Sequence, residues 1–183
     1  MDRLDDYLKQ EAELLARIPR QPLAQLALIL ADARCDGRRV FLFGNGGSAA
    51  TASHFVVDLV KGAAAPGKPP FKAVCLNDSV PTLTAVANDY SYDSVFATPL
   101  AALAGPADVA IAISGSGNSP NVLSAMAVAR DLKLIRVGLT GFSGGKLKDA
   151  VDLAIIVPSD SMQMIEDVHL VILHAVFVEL CSQ

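Results

Sequence analysis

The chain has 183 residues, enough for one domain with a full core. It is 52% hydrophobic and 19% charged, with a net charge of −4, a pI near 5.2 and a mean hydropathy of +0.41. No Lys/Arg stripe stands out, which disfavours nucleic-acid binding, and no apolar run of about 18 residues exists to span a membrane.

The opening MDRLDDYLKQEAELLARI is charged throughout, so it reads as no signal peptide. Leu4, Tyr7, Leu8, Leu15 and Ile18 recur at helical spacing and predict a helix over 2–18. IPRQP breaks it, and a second helix follows over about 22–35, stopped by Gly37. From residue 38 short apolar runs alternate with helices. RVFLFG (39–44) predicts a strand, then a helix over 48–61. KAVCL (72–76) predicts a second strand, then a helical segment ending near ANDY and a helix over 93–104. DVAIAIS (108–114) predicts the third strand, with a helix over 120–131. KLIRVGLT (133–140) and LAIIVP (153–158) predict the fourth and fifth, and the last helix is expected over 168–180. The strands are unbroken apolar runs, as burial on both faces demands. The expected fold is therefore α/β: one doubly wound, flavodoxin-like domain over 1–183. A five-stranded parallel sheet has helices on both faces, and residues 1–37 form an N-terminal helical interface segment before the 38–183 core. The apolar excess points to an oligomer interface. Three scattered cysteines, Cys35, Cys75 and Cys181, read as free thiols in a reducing cytoplasm.

Two strand ends carry anion-binding character. SGSGNSP (114–120) places three serines and two glycines ahead of a helix, with Ser119 at the N-cap position and Pro120 at the first helical position. Helix N–H groups and the macrodipole favour a phosphate there, and one cap would need one serine, not three. GNGGS (44–48) follows the first strand in the same way. If the first and third strands are neighbours, both turns line one crevice, with Asn45 offering an amide to sugar hydroxyls. A dinucleotide site is the weaker rival: GNGGSA fits the relaxed G-x-G-x-x-A pattern, and Asp78 only approximates the expected acid.

His54 and Asp58, four apart, share a helix face. Alone they read equally as a buried ion pair. The last helix adds Glu166, Asp167, His169 and His174 to an otherwise apolar stretch. His54, Asp58, Glu166 and His174 make a nitrogen/oxygen set suited to zinc or another divalent ion. Glu166 and His174 are eight apart, about 12 Å along one unbroken helix. Either the helix begins after Glu166, or one ligand comes from a neighbouring subunit.

GNGGSAATASHF, AVANDYSYDSVF, ISGSGNSPNV, GLTGFSGGKL and MIEDVHLVILH together resemble the sugar isomerase (SIS) domain family of the phosphoheptose isomerase type, over nearly the whole chain. The resemblance implies an enzyme that converts D-sedoheptulose 7-phosphate to D-glycero-D-manno-heptose 7-phosphate, for nucleotide-activated heptose and surface polysaccharide. It implies a homotetramer with active sites between subunits and one zinc per site. By position it places substrate contacts on Asn45, Gly46, Gly47, Ser48, Asn88, Asp89, Ser114, Gly115, Ser116, Ser119 and Glu166. Metal ligands fall on His54, Asp58, Glu166 and His174, and acid/base roles on Asp58 and His174. The chain departs from the usual pattern with Asp58 in place of a Glu, Glu166 in place of a Gln and Gln163 where an Asp is often found. Two alternatives come with the resemblance: an isomerase of another sugar phosphate, and a non-catalytic regulator of replication initiation that has lost these groups.

Overall fold

The apolar runs form the expected sheet. The computed structural model describes residues 3–182; the first residue of the 2–18 helix lies outside the described residues. β1 (Arg39–Gly44), β2 (Lys72–Cys75), β3 (Val109–Ser114), β4 (Ile135–Thr140) and β5 (Leu153–Ile156) pair in parallel, in the order β2-β1-β3-β4-β5. That is the doubly wound order, with its reversal between β1 and β3.

Successive strand side chains face opposite ways, and each set finds its own core. Val40, Leu42, Ile111, Ile113, Val137 and Leu139 pack beneath α1 (Arg3–Ala16), α2 (Arg20–Cys35), α3 (Gly47–Val57) and α7 (Met162–Ser182). Phe41, Phe43, Ala110 and Ala112 pack beneath α4 (Val80–Asp89), α5 (Ala97–Leu103) and α6 (Pro120–Asp131). Phe41, Phe43, Phe55 and Phe96 are fully buried, each worth about 1.5–3 kcal/mol. The N-terminal helices join this core through Leu14, Ile18, Leu23, Leu26 and Leu30, while Leu4, Leu8 and Leu28 stay exposed. The Tyr7 hydroxyl donates to Asp167 Oδ2 at 2.5 Å, tying α1 to α7. That bond holds the phenol proton and pushes its pKa up to about 12.

Several boundaries move, each for a local reason. α7 begins at Met162, not 168, and runs unbroken to Ser182. Met164, Ile165, Val168 and Ile172 extend its buried stripe back through the acidic pair, so Glu166 lies within the helix. β4 starts at Ile135 because Lys133 turns through φ +62. The expected 93–104 helix is a short 3-10 turn at Tyr92–Ser94 followed by α5. α3 ends at Val57, and Asp58–Gly62 widen into a π-helical turn in which the Ala63 N–H donates to the Asp58 carbonyl at 2.8 Å. Such turns concentrate at functional positions.

The sheet's C-terminal edge is braced by two contacts. His169, fully buried on α7, has Nε2 3.2 Å from the Thr140 carbonyl at the end of β4. Burial lowers its pKa to about 4, and the carbonyl only partly offsets this. Gly117, at φ +64, sits against the Gly144 backbone carbonyl, and its own carbonyl accepts from the Leu147 N–H at 2.9 Å.

Each contact predicts a measurement. The unfolded chain protonates His169 near its ordinary 6.5, whereas the folded chain resists until about 4. The stability this group contributes is therefore complete above pH 6.5 and falls between 6.5 and 4, by about 3 kcal/mol in all. Urea unfolding of wild type and His169→Gln across that window should show the slope reduced in the variant; equal slopes would contradict the assignment. Gly117→Ala meets both a left-handed backbone and a fixed carbonyl, so it should cost about 2–4 kcal/mol and lower Tm on the order of 5–15 °C. Gly67→Ala, at φ +79 in open space, meets only the left-handed backbone and should cost about 1–2 kcal/mol.

Candidate active site

The β1–β3 pairing aligns Gly44 with Ile113, so the two glycine turns emerge side by side. A pocket opens between them, lined by Asn45, Ser48, Ser114, Gly115, Ser116, Ser119 and, from α7, Met162 and Glu166. No lysine or arginine lines it. Hydroxyls and helix N-termini are its means of holding an anion.

Ser119 occupies the N-cap position of α6 without a side-chain capping bond. Its hydroxyl lies instead 3.3 Å from that of Ser114, across the cradle. Ser116 Oγ accepts from the Asn118 N–H at 3.2 Å, closing the turn between them. Gly46 adopts φ +57 and opens α3 without a side-chain cap. The Glu166 carboxylate presses on the glycine turn: a Cβ on Gly47 would lie 2.5 Å from Oε2.

The second half of the site lies further along α3 and α7. His54 Nε2 and His174 Nε2 are 2.9 Å apart, and each lies 3.6 Å from Asp58 Oδ2. Both imidazoles are about half exposed, whereas Asp58 Oδ2 is buried without a hydrogen-bond partner. A buried carboxylate oxygen with no donor is costly, so it calls for a cation or a proton. These three atoms can hold a divalent ion. A point about 2.0 Å from all three exists at those separations, the usual zinc–ligand length. The two ring nitrogens also stand close enough to share a proton.

The structure thus brings together His54, Asp58 and His174, and separately Asn45, Ser48, Ser114, Gly115, Ser116, Ser119 and Glu166, with Gly46 and Gly47 in the turn beside them. It does not bring Glu166 to the metal trio within one chain. Both acidic and imidazole groups ride one unbroken helix, about 12 Å apart along its axis, and the option that α7 begins after Glu166 is excluded. Asn88 and Asp89, at the end of α4, are exposed and hydrogen-bonded to each other at 2.8 Å; neither lines the serine pocket. Two residues at the pocket were missed from sequence. Asn121 forms a reciprocal amide pair with Asn45, and the Tyr92 hydroxyl donates to Asn45 Oδ1 at 3.0 Å. The available signal was Asn121 one position past Pro120, in the first turn of α6.

Among the described residues no helix is long and apolar enough to cross a membrane. Residues 6–141 match the family profile described as SIS domain. A phosphoheptose isomerase of Paramagnetospirillum magneticum is 42% identical, over 98% of this chain and 93% of its own length. One from Mycobacterium bovis is 48% identical over 76% of this chain and 71% of its own length. The solved structure of a phosphoheptose isomerase from Francisella tularensis superposes with a TM-score of 0.92 at 33% identity, covering both chains fully. The chain belongs to the SIS-domain family, within its phosphoheptose isomerase branch.

Proposed function

We infer that this isomerase interconverts D-sedoheptulose 7-phosphate and D-glycero-D-manno-heptose 7-phosphate. The observation that carries the reading is that α3 with its π-helical continuation and α7 line the serine cradle with Ser48 and Glu166 at one end and carry the carboxylate–imidazole trio further along. One end suits a phosphate, and the other suits proton transfer between adjacent carbons. The regulator of replication initiation finds no support, because the groups it would have lost are present and assembled.

In this reading Ser114, Ser116 and Ser119 donate to the phosphate oxygens, and the α6 N-terminus stabilises its charge. Binding energy far from the reacting carbons then fixes their orientation. Asp58 takes a proton from C1 of the ketose while the C2 oxygen gains one, giving the enediol. His174 returns a proton to C2 as the C1 hydroxyl loses its own, giving the aldose. Glu166, in the pocket, accepts hydrogen bonds from sugar hydroxyls. The trio would hold zinc through His54, Asp58 and His174, leaving an open position, and bound zinc would supply Lewis-acid polarisation of the substrate carbonyl; a group bound tightly to zinc is a poor proton carrier, so Asp58 and His174 would act as base and acid only when free of the metal or weakly bound to it.

The trio also supports a shared site. Val57 and Val60 flank Asp58, and Val171 and Val178 lie on the His174 face of α7; all four are exposed, at 59%, 48%, 43% and 64%. An apolar rim around polar chemistry is best satisfied by a second copy of the chain. The proposed assembly is a cytoplasmic homotetramer with active sites between subunits, which would let Glu166 and His174 of one chain serve different sites.

Four measurements test this. Protein of known metal content should form aldose from sedoheptulose 7-phosphate; no product with metal bound would reject the reading. Asp58→Asn should lower kcat more than about a hundredfold, and little change would remove its role as base. Zinc content should fall on His54→Ala, and native mass should be about 76 kDa, four copies of 19.1 kDa; a 19.1 kDa monomer would contradict the shared site.

A further inference from the structure

Asn45 faces the pocket, yet its side chain is committed to a network that reaches away from it. Asn121 is 1% exposed and lies on the first turn of α6. Its Oδ1 accepts from the Val122 N–H at 2.9 Å. A backbone N–H can only donate, so this bond fixes which end of the Asn121 amide is oxygen. The same Oδ1 accepts from Asn45 Nδ2, and Asn121 Nδ2 donates back to Asn45 Oδ1, both at 2.9 Å. Orientation therefore passes from the α6 backbone through Asn121 to Asn45. Tyr92 adds the third bond, with its hydroxyl donating to Asn45 Oδ1 at 3.0 Å.

The donor and acceptor inventory then decides what Asn45 can offer. Its carbonyl oxygen has two lone pairs, and Asn121 and Tyr92 occupy both. Its NH2 group has two hydrogens, and Asn121 takes one. The remaining N–H is the unspent valence of the side chain. We propose that Asn121 and Tyr92 are positioning residues that lock the Asn45 amide so that it meets the substrate only as a hydrogen-bond donor. A ligand oxygen that accepts, on the phosphate or on a sugar hydroxyl, fits this position, and a group that must donate is rejected.

The network also ties three separate segments into one unit. Asn45 belongs to the turn after β1, Asn121 to the phosphate helix, and Tyr92 to the 3-10 turn after α4. The sugar-facing turn is thereby held in register with the phosphate cradle. An amide pair with both oxygens satisfied and one member buried is rigid, because breaking it would strand the polar groups of Asn121 away from water.

This rests on the sugar-phosphate reading of the pocket, so the test separates the two. Metal-loaded wild type, Tyr92→Phe and Asn121→Asp are compared for KM and kcat with sedoheptulose 7-phosphate, for inorganic phosphate affinity and for Tm. Tyr92 is 60% exposed, so loss of its hydroxyl should leave Tm unchanged. KM should rise about 3- to 10-fold with kcat moving less than about 2-fold, the scale of one lost hydrogen bond. Asn121→Asp cannot donate to Asn45 and sets a carboxylate near the phosphate, so it should weaken substrate and phosphate by more than about 10-fold. KM within about 1.5-fold of wild type in both variants would overturn the inference, as would a rise in KM accompanied by equal losses in kcat and a fall in Tm. If wild type does not turn over this sugar, the substrate assignment fails while phosphate affinity still decides the inference. Weaker phosphate binding by Tyr92→Phe, which adds no charge, supports it, and equal affinities, or no phosphate binding by wild type, overturn it.

Discussion

The parallel pairing of β1 with β3 is the constraint on which the site depends. Chain direction brings both strands to the same edge, and the Gly44–Ile113 register sets their turns side by side. Any order in which β1 and β3 were not neighbours would separate GNGGS from SGSGNS by at least one strand, about 4.8 Å. The crevice is therefore a consequence of topology. The glycines and serines that fill it could not make a pocket from a different arrangement of the same elements.

α3 and α7 carry the other dimension. Gly47 and Glu166 meet at one end of their seam, and His54 and His174 meet further along it. The seven- and eight-residue spacings on the two helices match, so two helices running together produce two stations of chemistry from one contact. The π-helical turn at Asp58 adds the third group to the second station. It places a buried, unpartnered carboxylate oxygen beside two facing imidazoles. Such an oxygen is tolerated where a cation or proton is expected.

The five strands, the helices on both faces and both glycine turns were legible because they rest on local patterns, whereas the adjacency of β1 and β3 stayed a condition until the sheet pairing supplied it. Continuous apolar runs mark doubly covered strands, and glycine with serine after a strand marks an anion turn. Ser114, Ser116 and Ser119 do line one pocket. The start of α7 was misread because Glu166 and Asp167 look like loop chemistry, whereas Met164 and Ile165 carry the buried stripe past them. The partition of Glu166 from His174 follows from that boundary. Tyr92 was not legible at all, and Asn121 only by its place in the first turn of α6. Their significance lies in contacts with Asn45 across 76 and 47 residues, and no spacing rule reaches that far. Ser119 shows the reverse error: its position reads as a cap, but its hydroxyl turns toward Ser114.

The most direct measurement is a crystal structure of the zinc-loaded protein with sedoheptulose 7-phosphate bound. The phosphate should accept hydrogen bonds from Ser114, Ser116 and Ser119, with C1 and C2 beside an Asp58–His174 pair and a metal on His54, Asp58 and His174. A phosphate bound away from the serine turn, or reacting carbons remote from every Asp58 and His174 of the assembly, would contradict the assignment of the two stations to one reaction.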